Sequence, residues 1–301
     1  RVPPALLDAG FAGNGRIVMV EPRRIAARAA ARRMSHERGT PLGEEVGFQV
    51  RFEKKFGPRT PVVVVTPGIL LRMVQDDPFL EKVSVLIFDE FHERGLETDL
   101  ALGMSRLMQR TVRDDLKLVV MSATLETERL ASYLDPASMV TSEGRLFPVE
   151  IRYRPPARDE SLPRSVARAV EALLRETPGD LLVFLPGVGE IRQTEDELRS
   201  LADEQNLLVL PLHGDLPAEQ QDEALVRHAR RKVVLATNVA ETSVTVEGVT
   251  GVVDSGTARA MRYDPGVGLD RLQVEPISRA AADQRAGRAG RLAPGVCVRL
   301  W

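Results

Sequence analysis

Cysteine is almost absent from this chain: Cys297 is the only one in 301 residues. One thiol builds no intrachain disulfide framework, and a metal centre of several thiolates is excluded. A reducing, cytoplasmic setting fits. No apolar run approaches the roughly 20 residues that span a bilayer, and the N-terminus lacks the charged, apolar and small-residue succession of a signal peptide, so no membrane is expected. Aromatic residues make up 4% of the chain, which argues against an extensive base-stacking platform. A dominant charge is also missing. With a formal net charge of -2, whole-molecule attraction supplies no affinity for nucleic acid, and any such site must be a local groove. Lysine is scarce, five residues against 36 arginines. Arginine forks pair bidentately with phosphate, but GC-rich codon usage produces the same bias, so only arginines at particular positions carry weight.

What is present is an ordinary globular composition, 43% apolar and 28% charged, in a chain long enough for two domains of roughly 150 residues. Strand-like runs at 17–21, 62–66, 83–88 and 116–121 alternate with helical patterns, and the alternation returns at 181–185, 207–212, 232–236 and 251–253. Such alternation predicts right-handed βαβ units and doubly wound parallel sheets, an α/β fold. The proline- and charge-rich stretch from Phe147 to Pro163 suggests a boundary near residue 146, giving domains 1–145 and 146–301. Val166, Ala169, Val170, Leu173 and Leu174 recur at helical spacing and read as a core-facing stripe. Between Thr257 and Val274 the rhythm breaks around Asp264-Pro265-Gly266-Val267-Gly268, a turn signal that suits a projecting hairpin.

The segment Val83-Ser84-Val85-Leu86-Ile87-Phe88-Asp89-Glu90-Phe91-His92-Glu93 delivers two carboxylates and a histidine off a strand that reads as buried on both faces. Ligands of open α/β sheets sit beyond the carboxyl ends of such strands. Asp89 is placed to hold a magnesium ion through its water shell, and Glu90 to take a proton from water attacking a terminal phosphate. Alone, the same residues would serve as an acidic helix cap.

Six further segments follow in order. Val20-Glu21-Pro22-Arg23-Arg24 leads into a helix carrying Arg28, Arg32 and Arg33. Val65-Thr66-Pro67-Gly68, Met121-Ser122-Ala123-Thr124 and Phe184-Leu185-Pro186-Gly187 each end a strand, and 236–243 places Thr237, Asn238, Thr242 and Ser243 beyond another. The last, Gln284-Arg285-Ala286-Gly287-Arg288-Ala289-Gly290-Arg291, would put Gln284, Arg288 and Arg291 on one stripe if helical. Two glycines cost such a helix roughly 1 kcal/mol each relative to alanine, which a need for close approach to an anionic ligand explains.

These segments together resemble the DEAH-box helicases of superfamily 2, most closely the bacterial HrpB-like branch, whose tetrad reads DEFH. The resemblance covers almost the whole chain and implies two tandem RecA-like domains, with ATP in the cleft between them and a single nucleic-acid strand, RNA more than DNA, across their top. It implies that Asp89 and Glu90 serve magnesium and the attacking water, and that His92, Ser122 and Thr124 couple that site to the second domain and the strand. It further implies that Gln284, Arg288 and Arg291 reach the phosphates, with Arg291 or Arg288 as arginine finger. Arg33 matches the adenine-stacking arginine, and Leu225 stands where relatives often place an aromatic, implying looser nucleotide choice. Ser243, Thr245 and Glu247 match positions that contact ribose and the catalytic water. Arg24, Arg51, Thr66, Gly187, Thr237, Asn238 and Thr242 match strand contacts, and 257–274 matches the hairpin used as a strand-separating wedge.

One family element is missing: no G-x-x-x-x-G-K-[ST] phosphate-binding loop occurs. The opening Arg1-Val2-Pro3-Pro4-Ala5-Leu6-Leu7 looks like the helix that follows that loop, so the expectation is a truncated record whose 301 residues hydrolyse little ATP. Relatives also continue past the position of Trp301 into winged-helix and helical-bundle domains. The leading expectation is an ATP-dependent helicase core. A hydrolysis-deficient nucleic-acid-binding or remodelling module is the alternative, and a metal-dependent nuclease built on Asp89, Glu90 and His92 would leave Arg288 and Arg291 without a role.

Overall fold

The computed structural model describes residues 1–123, 127–134, 137–142, 147–241 and 244–301. The chain divides into two compact units, Arg1–Ser142 and Glu143–Trp301, each with its own sheet.

In the first unit the strands are β1 (Arg16–Val20), β2 (Val46–Val50), β3 (Glu53–Lys55), β4 (Val62–Val65), β5 (Val83–Phe88) and β6 (Lys117–Val120), and the helices are α1 (Val2–Asp8), α2 (Arg24–Arg38), α3 (Pro67–Asp76), α4 (Leu96–Thr111) and α5 (Thr127–Tyr133). The sheet order is β3-β2-β4-β1-β5-β6, parallel except for the β2–β3 pair. The strands are apolar on both faces because both are covered. Val18, Val20, Val63, Val65, Leu86 and Phe88 pack with Leu70 and Val74 of α3 and with Ala101 and Leu102 of α4. Their alternates Ile17, Met19, Val62, Val64, Val85 and Ile87 pack with Ala27, Ala31 and Met34 of α2. The side-chain period of two sends neighbouring residues to opposite helical layers, so the sheet is doubly wound.

The second unit contains β7 (Val149–Tyr153), α6 (Leu162–Glu176), β8 (Asp180–Phe184), α7 (Val188–Glu204), β9 (Leu208–Leu212), α8 (Ala218–Leu225), β10 (Lys232–Ala236), β11 (Val249–Asp254), β12 (Thr257–Asp264), β13 (Leu269–Pro276), α9 (Arg279–Gly287) and β14 (Gly295–Arg299). Its main sheet runs β7-β14-β11-β8-β10-β9 with parallel neighbours throughout. The expected stripe of α6 lies against Leu181, Val183, Val233, Leu235 and Val253. Both units are mixed α/β domains built on largely parallel sheets, as the alternating pattern predicts.

The stretch read as a boundary segment from Phe147 to Pro163 contains β7, the edge strand beside β14. Its side chains are half-buried or exposed and mix charges with apolar residues, so its strand character comes from pairing across the sheet and not from an apolar run. The short β2 and β3 also had no separate signal. β12 and β13 form the expected hairpin, an isolated antiparallel pair closed where the N–H of Gly268 donates to the Asp264 carbonyl at 2.8 Å, with Gly268 at φ 69°. Among the described residues no helix is long and apolar enough to cross a membrane.

Candidate active site

The parallel strands of the first unit end in one row, which places Gln49 and Val50 before Arg51 at the end of β2, then Thr66 after β4, Glu21 after β1, Asp89 and Glu90 after β5, and Ser122 after β6. Backbone bonds stitch these ends together. The N–H groups of Glu21, Asp89, Met121 and Phe91 donate to the carbonyls of Val65, Val20, Phe88 and Met121, at 2.8, 3.0, 2.8 and 3.1 Å. The tetrad is therefore seated on both neighbouring strands.

Directly after Asp89 the chain turns sharply: Glu90 adopts φ 47°, ψ 38°, a left-handed conformation that a non-glycine residue takes at a cost of about 1 kcal/mol or more. The Asp89 carboxylate accepts the Glu90 N–H at 2.8 Å and holds the turn. The Glu90 carboxylate lies 3.5 Å from His92 Nδ1, and the same Nδ1 is 3.4 Å from the N–H of Ala123 beyond β6. One nitrogen cannot donate to Glu90 and accept from Ala123 in the same tautomer. The proton on His92 therefore decides which loop the ring serves. Arg23 pairs with Glu93 at 2.9 Å and ties the β1 end to the same turn.

Glu21 was quoted in the sequence only as part of a strand end, yet it is 3% exposed behind the tetrad. Burial, then the nearby charges of Asp89 and Glu90, push its carboxyl well above the usual range, and a side-chain hydrogen bond with Asp89 raises it further. Asp89 is itself raised, chiefly by burial, against the opposing hydrogen bond from the Glu90 N–H. A raised folded-state value contributes stability that is full below the unfolded value, 4.5 for Glu21, and is lost as pH rises through the folded value. Stability is thus expected to fall as pH rises above 4.5, and Glu21→Gln, which cannot ionise, to flatten that fall. Urea unfolding followed by helix circular dichroism checks it; parallel pH profiles for the two proteins would refute the assignment.

In the second unit Gly187, Thr237 with Asn238, and Ser255 follow β8, β10 and β11 along the carboxyl edge. The Thr237 N–H donates to the Leu212 carbonyl at 3.1 Å, and the Ser255 N–H to the Phe184 carbonyl at 3.1 Å. The stripe of Gln284, Arg288 and Arg291 depended on a helix running through all three. α9 ends at Gly287 and the chain tightens into a 3₁₀ turn, Arg288–Gly290. Arg288 is buried and donates to the carbonyls of Glu241 and Val244, whereas Arg291 is exposed and donates to Thr245 Oγ1. The cause is packing as well as propensity: a methyl group on Gly290 would stand 2.6 Å from the Phe147 carbonyl oxygen, so the backbone there is pressed onto its neighbour. Gln284 remains half-buried on α9.

Arg33 is exposed on α2 and paired with Glu37 at 2.9 Å, one helical turn away. Arg24 opens the same helix. Glu247 donates its N–H to the carbonyl of Leu225 at 3.1 Å, and Leu225 is buried. Thr124, Thr242 and Ser243 lie outside the described residues.

Two other residues had no sequence signal. Phe52, beside Arg51 at the β2–β3 turn, is 91% exposed at φ 67°, with the Arg51 guanidinium 4.7 Å from its ring centroid. Arg285, inside the quoted motif but without a role there, is fully buried between Glu241 at 2.9 Å and Asp254 at 2.8 Å, over the Phe184 ring.

Comparison with known proteins places these features. The DEAD/DEAH box helicase model matches residues 9–132, and the model of the helicase conserved C-terminal domain matches residues 165–293. The chain is 47% identical over 289 residues to the ATP-dependent RNA helicase HrpB of Escherichia coli, covering 95% of this chain and 36% of that protein. It is 42% identical to the HrpA homolog of Haemophilus influenzae, described as an ATP-dependent RNA helicase, over the whole chain and 23% of that protein. A crystal structure of Escherichia coli DEAH/RHA helicase HrpB superposes with a TM-score of 0.88 over 95% of this chain and 37% of that one. The chain thus spans about a third or less of the relatives it matches. With both helicase models in tandem and a DEFH tetrad at the end of β5, the chain belongs to the DEAD/DEAH box helicase family and is HrpB-like within it.

Proposed function

We propose that this chain is the paired-domain core of an ATP-dependent RNA helicase, in which nucleotide hydrolysis drives movement along a single strand. The observation that carries the reading is the seat of Glu90. A strained turn off a buried parallel strand holds its carboxylate at the sheet edge, beside a desolvated Asp89 and within reach of His92. Strain of this kind persists where the surroundings over-determine it, as at catalytic sites.

The residues suit a hydrated magnesium ion. Asp89 and Glu90 stand together at one sheet edge with the buried Glu21 behind them, an acidic corner that suits a cation. Magnesium-bound ATP supplies the transferable phosphoryl group and its neutralised leaving group. Asp89 would hold such an ion, and Glu90 would take the proton from the attacking water. His92 exchanges its proton-dependent partner between Glu90 and the Ala123 N–H, so that the loop carrying Ser122 and Thr124 registers the state of Glu90. The exposed Arg291 is the better arginine finger, because the Arg288 guanidinium is already engaged with buried carbonyls. Gln284 supports it, while Arg33 addresses adenine, and Ser243, Thr245 and Glu247 address the ribose and the catalytic water.

Arg24, Arg51 and Thr66 on the first unit, and Gly187, Thr237, Asn238 and Thr242 on the second, take the strand through phosphate and sugar contacts. Phe52 adds a stacking surface. Base–aromatic stacking contributes about 1–3 kcal/mol per base, so Phe52→Ala is expected to weaken binding of a labelled oligouridylate roughly tenfold without lowering the unfolding midpoint. Unchanged affinity would remove Phe52 from the interface. The whole reading is tested by ATP turnover with and without single-stranded RNA, in a polypeptide with a G-x-x-x-x-G-K-[ST] loop joined ahead of Arg1. RNA-stimulated turnover supports the motor; strand binding with no turnover makes the chain a binding module instead.

A further inference from the structure

At the foot of the β12–β13 hairpin, Arg259 leans away from its own strand pair and onto the start of α7. A methyl group added to Gly187 would come within 2.8 Å of both Cζ and Nε of Arg259, and within 3.0 Å of Glu190 Oε2. The guanidinium therefore lies directly against the backbone of Gly187, with the Glu190 carboxylate on the same spot. Yet the two charges are poorly matched. Arg259 Nη2 stands 3.6 Å from Glu190 Oε1, beyond hydrogen-bond distance, and the Arg259 side chain is 42% exposed. Glu190 Oε2 is buried and accepts no hydrogen bond.

This arrangement is unfavourable for a resting structure. A cation at the amino end of α7 opposes the helix dipole, and Glu190 in the first turn is what offsets it. An exposed pair without a hydrogen bond contributes little, so Arg259 gives up Glu190 at small cost. A phosphate oxygen would provide the short, charge-assisted hydrogen bonds that Glu190 does not.

We infer that Arg259 is a further phosphate-contacting residue, exchanging Glu190 for a backbone phosphate of a single RNA strand lying along Gly187, and so tying the hairpin foot to the bound strand. The inference rests on the nucleic-acid reading above and goes beyond it in two ways: it adds a residue on the hairpin, and it makes Glu190 a competitor of the strand. Opposite signs are therefore expected for the two partners.

The test measures fluorescence anisotropy of a labelled oligouridylate against the 301-residue chain over a series of salt concentrations. Arg259→Ala is expected to weaken binding about fivefold at about 0.1 M salt and to lower the slope of log K against log salt by about 0.7, the value for one contact to a single strand. Arg259→Lys keeps the slope. Glu190→Gln tightens binding about two- to fivefold, and that gain disappears when Arg259 is alanine, the coupling that a direct exchange requires. Arg199→Ala, which removes a more exposed cation further along α7, changes neither affinity nor slope.

An Arg259→Ala protein with the wild-type slope overturns the inference while leaving the strand-binding reading intact. Weaker binding by Glu190→Gln overturns the exchange, because the carboxylate would then be holding Arg259 in place for the strand. Should Arg259→Ala prove unstable, Glu190→Gln still decides the matter with Arg259 present. A wild-type chain that binds no single strand at all overturns both readings together.

Discussion

Glu90→Gln is expected to lower RNA-stimulated ATP turnover by about 10³-fold in the loop-supplied polypeptide, and to leave single-strand affinity within about twofold of wild type. General-base contributions run from about 10² to 10⁴, and glutamine keeps the size and hydrogen-bonding shape of glutamate while losing the ability to take a proton. The loss therefore falls on kcat and spares KM for ATP. The position of Glu90 sharpens the expectation. Its backbone is held at φ 47° by the Asp89 carboxylate, and His92 faces it from the following turn, so substitution of the carboxylate does not release the turn. Asp89→Asn, in contrast, weakens the grip on the Glu90 N–H and should raise the magnesium requirement as well as lower turnover. Turnover of Glu90→Gln within tenfold of wild type would show that another group takes the proton.

Arg285→Ala is expected to destabilise the second unit by about 3–5 kcal/mol, the cost of breaking a buried ion pair from one side. The Arg285 guanidinium joins four elements: Glu241 beyond β10, Asp254 at the end of β11, the Thr257 carbonyl at the hairpin foot and the Phe184 ring of β8. Asp254 is completely buried, and one of its oxygens already lacks a hydrogen-bond partner. Removing the cation leaves Asp254 charged in an apolar setting, or forces it to take a proton. Arg285→Met, with the double variant Arg285→Met/Asp254→Asn, separates these causes: the double variant should recover a large part of the loss, since the uncompensated charge is gone. Trp301 reports the outcome selectively. It is the chain's only tryptophan, it belongs to the second unit, and its ring sits edge-on to Tyr153 and close against Gly256. A urea midpoint by Trp301 fluorescence that shifts no further for Arg285→Ala than for a surface arginine such as Arg199 would mean that the network stores no stability.

These two residues mark different degrees of legibility in the sequence. Glu90 could be singled out because its signal is local: six residues of β5, buried on both faces, run straight into two carboxylates, and strand direction alone carries them to the sheet edge. The apolar stripe of α6 was readable for the same reason, since helical spacing is a property of consecutive residues. Arg285 stood one position from residues that were chosen, but nothing in its neighbours tells that Glu241 and Asp254 converge on it. That depends on β11 lying between β14 and β8. β7 escaped notice because an edge strand made of Val-Glu-Ile-Arg-Tyr has no buried face of its own to declare it, and it exists through its pairing with β14.

By itself the sequence determined two α/β units, the alternation of strands and helices that builds a parallel sheet in each, and the strand ends from which the chemistry-bearing residues emerge. These follow from side-chain periodicity and chain direction, which are short-range properties. Tertiary structure alone decided which ionisable groups are desolvated and against what. It buried Glu21 behind Asp89 and so raised its pKa, turned Arg288 inward while leaving Arg291 exposed, closed Arg285 between two acids, and set Arg259 against Gly187 and Glu190. The free energy of a charge depends on its nearest partners and its distance from water, and both are supplied by segments far apart in the chain.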